Sequence, residues 1–173
     1  MPDDELLDIV DRHDHVIGQK RRAEVGQEDA NFRAVNVFLR NEPGQIWIPR
    51  RTARKNAFPS CLDMSCGGYV RSGESYEDAL RRELKEELDL DIEHVPCRLL
   101  GHLTPYDDQV SMFMQVYEIS THQPPNWNPD DFVEAFWLRP SEVLDRIRQG
   151  EPAKDDLPRL IEIFYTGGTD PHA

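Results

Sequence analysis

Cations are scarce in this chain. It carries 20 Lys and Arg against 33 Asp and Glu over 173 residues, a formal charge of −13, and its pI is near 4.8. A general nucleic-acid binder needs a Lys/Arg surface to neutralise phosphates, and a protein that docks on anionic membrane needs the same; both classes are disfavoured. Long apolar runs are also missing, and none approaches the roughly 20 residues of a membrane-spanning helix. Cysteine is sparse, with Cys61, Cys66 and Cys97 alone. That odd, small count does not build a disulfide framework. The opening, MPDDELLDIV, is acidic where a secretory signal is basic and then apolar. The expectation is a reduced, cytoplasmic protein. There is no internal repeat and no low-complexity segment. The length fits one domain with a large core, and a mean hydropathy of −0.67 describes a very polar surface around it.

The pattern along the chain alternates strands and helices. Residues 1–29 are polar apart from Leu6, Leu7, Ile9, Val10, Val16 and Ile17, and read as an N-terminal extension, a short strand or hairpin packed on the main body. His13-Asp14-His15 reads as a solvent-exposed turn. Val35, Val37 and Leu39 alternate within 32–39, which predicts a half-buried strand. Asn41 to Gly44 is a turn signal, and QIWIP at 45–49 is the partner strand. Residues 62–70 are extended and contain Gly67-Gly68. Residues 75–88 give the strongest helix: Ser75 as N-cap, Glu77 and Asp78 in the first turn, and a stripe of Ala79, Leu80, Leu84 and Leu88. Strands follow at 98–103, 109–119 and 133–138, then helices at 141–148, after Pro140, and 157–165. Residues 30–166 form the domain, and 167–173 read as a frayed tail. Interspersed strands and helices predict an α/β sandwich with helices covering a mixed sheet.

The helix at 75–88 has an unusual charge pattern. Glu83, Glu86 and Glu87 stand at i, i+3 and i+4 and share a face. Two carboxylates ~5 Å apart repel by roughly 3 kcal/mol at an effective dielectric of ~20, before screening. A divalent cation removes that conflict, and Mg²⁺ is satisfied by a few carboxylate oxygens with waters and substrate phosphates. Taken alone, the helix is equally an ordinary solvated one, because Glu77–Arg81, Asp78–Arg82 and Arg82–Glu86 are opposite-charge pairs four residues apart.

The wider spacing decides between these readings. Gly68, five residues, Glu74, seven residues, then Arg82-Glu83-Leu84-Lys85-Glu86-Glu87-Leu88-Asp89-Leu90 resembles the Nudix box, G-x5-E-x7-R-E-U-x-E-E-x-G-U, where U is a bulky aliphatic. A chance match of these positions is on the order of a few in a million at average residue frequencies. Asp89 stands where the family has Gly. That Gly ends the helix, and Asp tolerates the left-handed conformation better than most residues.

The resemblance implies an α/β/α sandwich around a mixed central β-sheet, and metal-dependent hydrolysis of a diphosphate bond in a nucleoside di- or triphosphate or a nucleoside diphosphate derivative. It implies Mg²⁺, with Mn²⁺ as a substitute, held by Glu83, Glu86, Glu87 and the Gly68 carbonyl. Glu74 and Arg82 are supporting residues. The metals neutralise the diphosphate and activate the attacking water. The proton acceptor is Glu83 itself or a carboxylate outside the box: Glu134, Asp107, Asp108 or Asp131, of which Glu134 is favoured.

For the phosphates, Arg50, Arg51 and Arg71 are the substrate-binding candidates, with Arg54 and Lys55 beside them. Trp47, Phe58, Tyr69 and Tyr106 are candidates for stacking on a base. The partner is a small molecule and neither nucleic acid nor membrane, and a homodimer is the family's frequent state.

The segments ELLDIVDRHDHVIGQKRR, IWIPRRTARKNAFPSCLDMSCGG and VEAFWLRPSEV resemble the isopentenyl-diphosphate-isomerase-like subgroup of bacterial Nudix hydrolases. Isomerases of that subgroup use a Cys, a Glu and a Tyr, and a metal site built largely from His and Glu. Cys66 lies near the isomerase cysteine position. However, Gly68 stands at a metal His position, and Val110, Met112 and Met114 stand where glutamates are needed. Cys66 is therefore read as a small buried residue beside the metal loop. An isopentenyl-diphosphate delta-isomerase and a non-catalytic nucleotide-binding module remain the alternatives. A zinc site on Cys61 and Cys66 is disfavoured by their spacing.

Overall fold

The structure, a computed structural model, describes residues 4–25 and 29–167. Among the described residues, eight strands and three α-helices occur in the order β1 (Leu6–Val10), β2 (Val16–Arg21), β3 (Arg33–Arg40), β4 (Ile46–Arg51), β5 (Cys66–Tyr69), α1 (Tyr76–Leu88), β6 (Cys97–Leu103), β7 (Phe113–Ser120), β8 (Phe132–Leu138), α2 (Pro140–Arg148) and α3 (Leu157–Ile161). The main sheet runs β6-β7-β3-β4-β8, with β5 pairing β3. β3 and β7 are parallel and the other pairs antiparallel, so the sheet is mixed.

β3 sits at the centre, and this corrects the expectation of a half-buried strand. Val35, Val37 and Leu39 pack on the α1 side with Leu80, Leu84 and Leu88. Ala34 and Phe38 pack on the other side against residues of α2 and α3, including Leu144, Leu160 and Ile161. Both faces are covered, giving the α/β/α arrangement. Each fully buried Leu or Val contributes roughly 1.5–3 kcal/mol relative to exposure.

β3 and β4 pair in register only at Arg40 and Ile46 and then diverge. Ser65 occupies the divergence: its Oγ accepts from the Leu39 N–H at 2.9 Å and donates to the Trp47 carbonyl at 2.6 Å. Two buried backbone groups that the sheet leaves unpaired are thereby satisfied. β5 enters beside them, and the open end of the divergence becomes the cavity described below.

α1 is capped as its sequence dictates. The Ser75 Oγ accepts from the Asp78 N–H at 3.0 Å, and Asp78 Oδ2 accepts from the Ser75 N–H at 2.9 Å. At the other end Asp89 takes the left-handed conformation (φ 51°, ψ 36°), and the Leu90 N–H reaches the Leu84 carbonyl at 3.1 Å.

Other boundaries differ from expectation. β7 begins at Phe113, because the chain turns at Gln109 (φ 59°) and leaves Val110 and Met112 ahead of the strand. The last helix is not uniform. After Ile161 it widens into a π-type turn over Glu162–Thr166, where Ile163, Phe164 and Tyr165 all pack on the core. Of the tail expected over 167–173, residues 168–173 lie outside the described residues. No helix among the described residues is long and apolar enough to cross a membrane.

β1 and β2 form a separate two-stranded hairpin. Leu7 and Ile9 bury with Val25 and Phe32. Asp8 is 8% exposed and accepts from the Ser72 Oγ at 2.7 Å and the Gly73 N–H at 3.1 Å. The Ser72 N–H donates to the Leu6 carbonyl. The hairpin therefore grips the loop that leads into α1. In its own turn His13 and His15 are exposed, as expected, whereas Asp14 (φ 63°) turns inward and accepts from the Arg33 Nε at 2.6 Å and the Tyr76 hydroxyl at 2.8 Å.

Candidate active site

Glu83 and Glu87 emerge from the buried face of α1 toward Gly67 and Gly68 of β5. Each is only 9% exposed. The Gly67 N–H donates to Glu87 Oε2 at 3.1 Å. A Cβ on Gly68 would lie 2.0 Å from Glu83 Oε1, so the absence of a side chain there is what admits the carboxylate. Glu86, one turn from Glu83, is half exposed.

Burial pushes the Glu83 carboxyl up to about 7, with Glu86 adding repulsion and Arg82 pulling the other way. Burial and then the Glu83 charge push Glu87 up to about 8. Both acids are opposed by desolvation; Arg82 offsets part of this at Glu83, whereas Glu87 faces further carboxylates and no cation of comparable effect.

Arg82 organises the loop around them. Its Nε donates to Glu74 Oε1 at 2.8 Å and its Nη2 to Glu74 Oε2 at 2.9 Å, a two-pronged grip. Nη2 also donates to the Tyr69 carbonyl at 2.9 Å, and Nη1 to Glu83 Oε1 at 2.5 Å. Glu74 in turn accepts from the Arg71 N–H at 2.9 Å. One guanidinium thus ties β5, the following loop and α1 together.

Glu83, Glu86 and Glu87 line a cavity of about 630 Å³ at the divergence of the sheet, within the range of small-ligand sites. Arg51 and Arg71 also line it. Arg51 is held by Asp63 Oδ2 at 2.7 Å and by the Ala57 carbonyl. Arg71 pairs with Glu5 and faces Glu86 Oε1 at 3.9 Å.

The structure does not bring Glu134 or Arg50 into the cavity. They pair with each other across β8 and β4 at 2.6 Å, and Arg50 also pairs with Glu151. Of the other candidate bases, Asp131 lines the cavity and is paired with Lys55. Asp107 and Asp108 cap their own turn through Thr104. Phe58 and Tyr69 line the cavity, whereas Trp47 is buried against Trp127 and Phe132. Tyr106 is exposed and bonds Asn31. Cys66 is buried in the core, and burial followed by Glu87 and Glu83 pushes its thiol well up, so it stays neutral.

Several cavity residues carried no signal in the sequence: Glu5 and Arg22, which flank the hairpin, Lys154 from the segment before α3, and Met64. Asn36, a polar residue between Val35 and Val37 of β3, also lines the cavity.

The site's donors suit a divalent cation. Two buried carboxylates, a half-exposed third and a backbone carbonyl are hard oxygen donors. Among the described residues no three acids, His or Cys already stand as a closed cage. An open set is what Mg²⁺ accepts when waters and substrate phosphates complete its shell. Fold and site together define a class: an α/β/α hydrolase acting on phosphorus-containing acid anhydrides.

The chain belongs to the Nudix family, and the NUDIX domain family matches residues 30–160. The Uncharacterized Nudix hydrolase all7351 of Nostoc sp. is 57% identical over 166 residues, covering 95% of this chain and 98% of that protein. A Nudix hydrolase of Deinococcus radiodurans is 45% identical over 94% of this chain and 95% of its own. The crystal structure of DR0079 from Deinococcus radiodurans superposes with a TM-score of 0.87 at 44% identity, covering 93% of this chain and 99% of that one.

Proposed function

We propose that this chain hydrolyses a diphosphate bond in a nucleoside di- or triphosphate or a nucleoside diphosphate derivative, with Mg²⁺ as the working ion and Mn²⁺ as a substitute. The observation that carries this reading is the buried Glu83–Glu87 pair seated against side-chain-free Gly67-Gly68. Such a pair is costly without a cation, and a cation there faces the cavity.

Glu83, Glu86, Glu87 and the Gly68 carbonyl would hold the ion. When bound it neutralises the diphosphate and lowers the pKa of a water. Arg82 and Glu74 keep the loop and helix in register, so the donors keep their spacing. Arg71 and Arg51, with Lys55 and Lys154 beside them, supply positive charge to the phosphates in an otherwise acidic protein. Glu83 would accept the water proton, since it stands against Gly68 in the cavity while Glu134, Asp107 and Asp108 do not line it. The chain divides into an N-terminal extension (1–29) that closes one wall of the site, the hydrolase domain (30–166) and a short tail (167–173).

The test is phosphate release from a nucleoside diphosphate with Mg²⁺, with excess EDTA, and with Mg²⁺ and Glu86→Gln. The reading predicts turnover in the first case alone. Turnover that persists in EDTA contradicts it.

A further inference from the structure

One part of the cavity serves neither metal nor phosphate. Besides charged groups, its lining includes Ala34, Asn36, Phe58, Met64, Met112 and Met114. Five of these are apolar. Asn36 is the exception, 3% exposed on the central strand. The hydrogen bond found for its side chain runs from Nδ2 to the Met114 Sδ at 3.4 Å, a weak acceptor. A Cβ on Gly67 would lie 2.6 Å from Asn36 Oδ1, so Gly67 leaves the room that the amide occupies. A buried amide is costly unless it is properly bonded, and a Leu or Val would fill a purely structural position at less cost.

We propose that Asn36 is a specificity-determining residue that reads the ring edge of a nitrogen heterocycle, the base half of a nucleoside diphosphate, while Met64, Met112 and Met114 hold its face. This rests on the hydrolase reading above and names what the non-phosphate end of that substrate is. An amide presents one donor and one acceptor side by side, the complement of adjacent acceptor and donor atoms on a base edge. Thioethers are polarizable and adaptable, and they make favourable contacts with aromatic rings. The Met/Phe wall and the glutamates line one cavity of about 630 Å³, so base and diphosphate are bound together.

The experiment compares the nucleoside diphosphate that the protein hydrolyses best with ribose 5-diphosphate, its counterpart without a base. The expected result is that wild type prefers the base-bearing substrate at least ~100-fold in kcat/KM. Asn36→Leu should lose ~10–100-fold on that substrate, mostly in KM, and be unchanged on ribose 5-diphosphate. Equal losses on both substrates would make Asn36 a structural residue and overturn the proposal, as would a wild type indifferent to the base.

A second measurement does not depend on the variant folding. The Asn36 side-chain NH₂ resonances of wild type should shift with the α,β-methylene analogue of that nucleoside diphosphate, and not with methylenediphosphonate. Binding of the analogue without that shift overturns the proposal while leaving the hydrolase intact. No turnover of any diphosphate in Mg²⁺ would overturn the hydrolase reading and this one with it.

Discussion

The acids of the site make the metal-free protein sensitive to pH in an uncommon direction. The folded-state values of Glu83 and Glu87 are raised, to about 7 and about 8. Between the ordinary carboxylate range and those values the folded state binds more protons than the unfolded state, so stability falls as pH rises. Chemical denaturation in EDTA should therefore show a lower midpoint at pH 8.5 than at pH 5.5, and Glu87→Gln should flatten that slope. Added Mg²⁺ should raise the midpoint most at pH 8.5, since it binds the ionised carboxylates. In catalysis the order inverts: Glu87→Gln, although more stable at high pH without metal, should lose at least ~100-fold in kcat/KM, measured by phosphate release in Mg²⁺. At this scale the sequence was informative about which residues stand together, Glu83 with Gly68 and Glu74 with Arg82, because their spacing places them on one helix face and the loop before it. It was uninformative about Glu134 and Arg50. Both have the right residue type near the site, but the strand register of β4 and β8 turns them toward each other.

Among the elements, α1 shows how a local departure is absorbed. Asp89 holds a left-handed conformation that Gly adopts without steric cost. It pairs with Lys85, four residues earlier, on an exposed surface, where such pairs contribute little. Asp89→Gly should raise Tm by about 2 °C in thermal unfolding and leave activity unchanged. A fall in Tm would show that the Lys85 pair outweighs the backbone strain. The start and stop of α1 were legible because caps are written in adjacent residues. The burial of β3 on both faces was not, since it follows from elements distant in sequence, α1 on one face and α2 and α3 on the other. Nor was the turn before Phe113, where alternation continues through Val110 and Met112 although the ladder does not. Periodicity records which way side chains would point, and the pairing decides whether a strand exists.

For the whole molecule, the N-terminal hairpin holds the loop that enters α1. Asp8 holds Ser72 and Gly73, and Glu5 holds Arg71, so the loop entering α1 is clamped from outside the domain that carries the box. Asp8→Ala leaves those donors unpaired and should cost about 2 kcal/mol in urea unfolding, with a loss of Mg²⁺ affinity as the loop loosens. An unchanged Mg²⁺ affinity would confine the hairpin to a stabilising role. No motif announced this contact, because it joins residues more than sixty positions apart through short polar side chains that also suit a turn. The relatives are named at the level of the Nudix family, and the isopentenyl-diphosphate-isomerase-like resemblance adds nothing at the site, where Cys66 is buried and neutral.

The central claim is that α1 and the Gly67-Gly68 strand assemble a metal-dependent diphosphate hydrolase. Phosphorus NMR of the protein with Mg²⁺ tests it directly, against nucleoside di- and triphosphates, ADP-ribose, a nucleotide sugar and isopentenyl diphosphate, with Glu87→Gln as the control. The account predicts new phosphate resonances from at least one nucleoside-containing compound, absent in the control and abolished by EDTA. Conversion of isopentenyl diphosphate without phosphate release, or silence across the nucleoside compounds while Mg²⁺ binds, would contradict it.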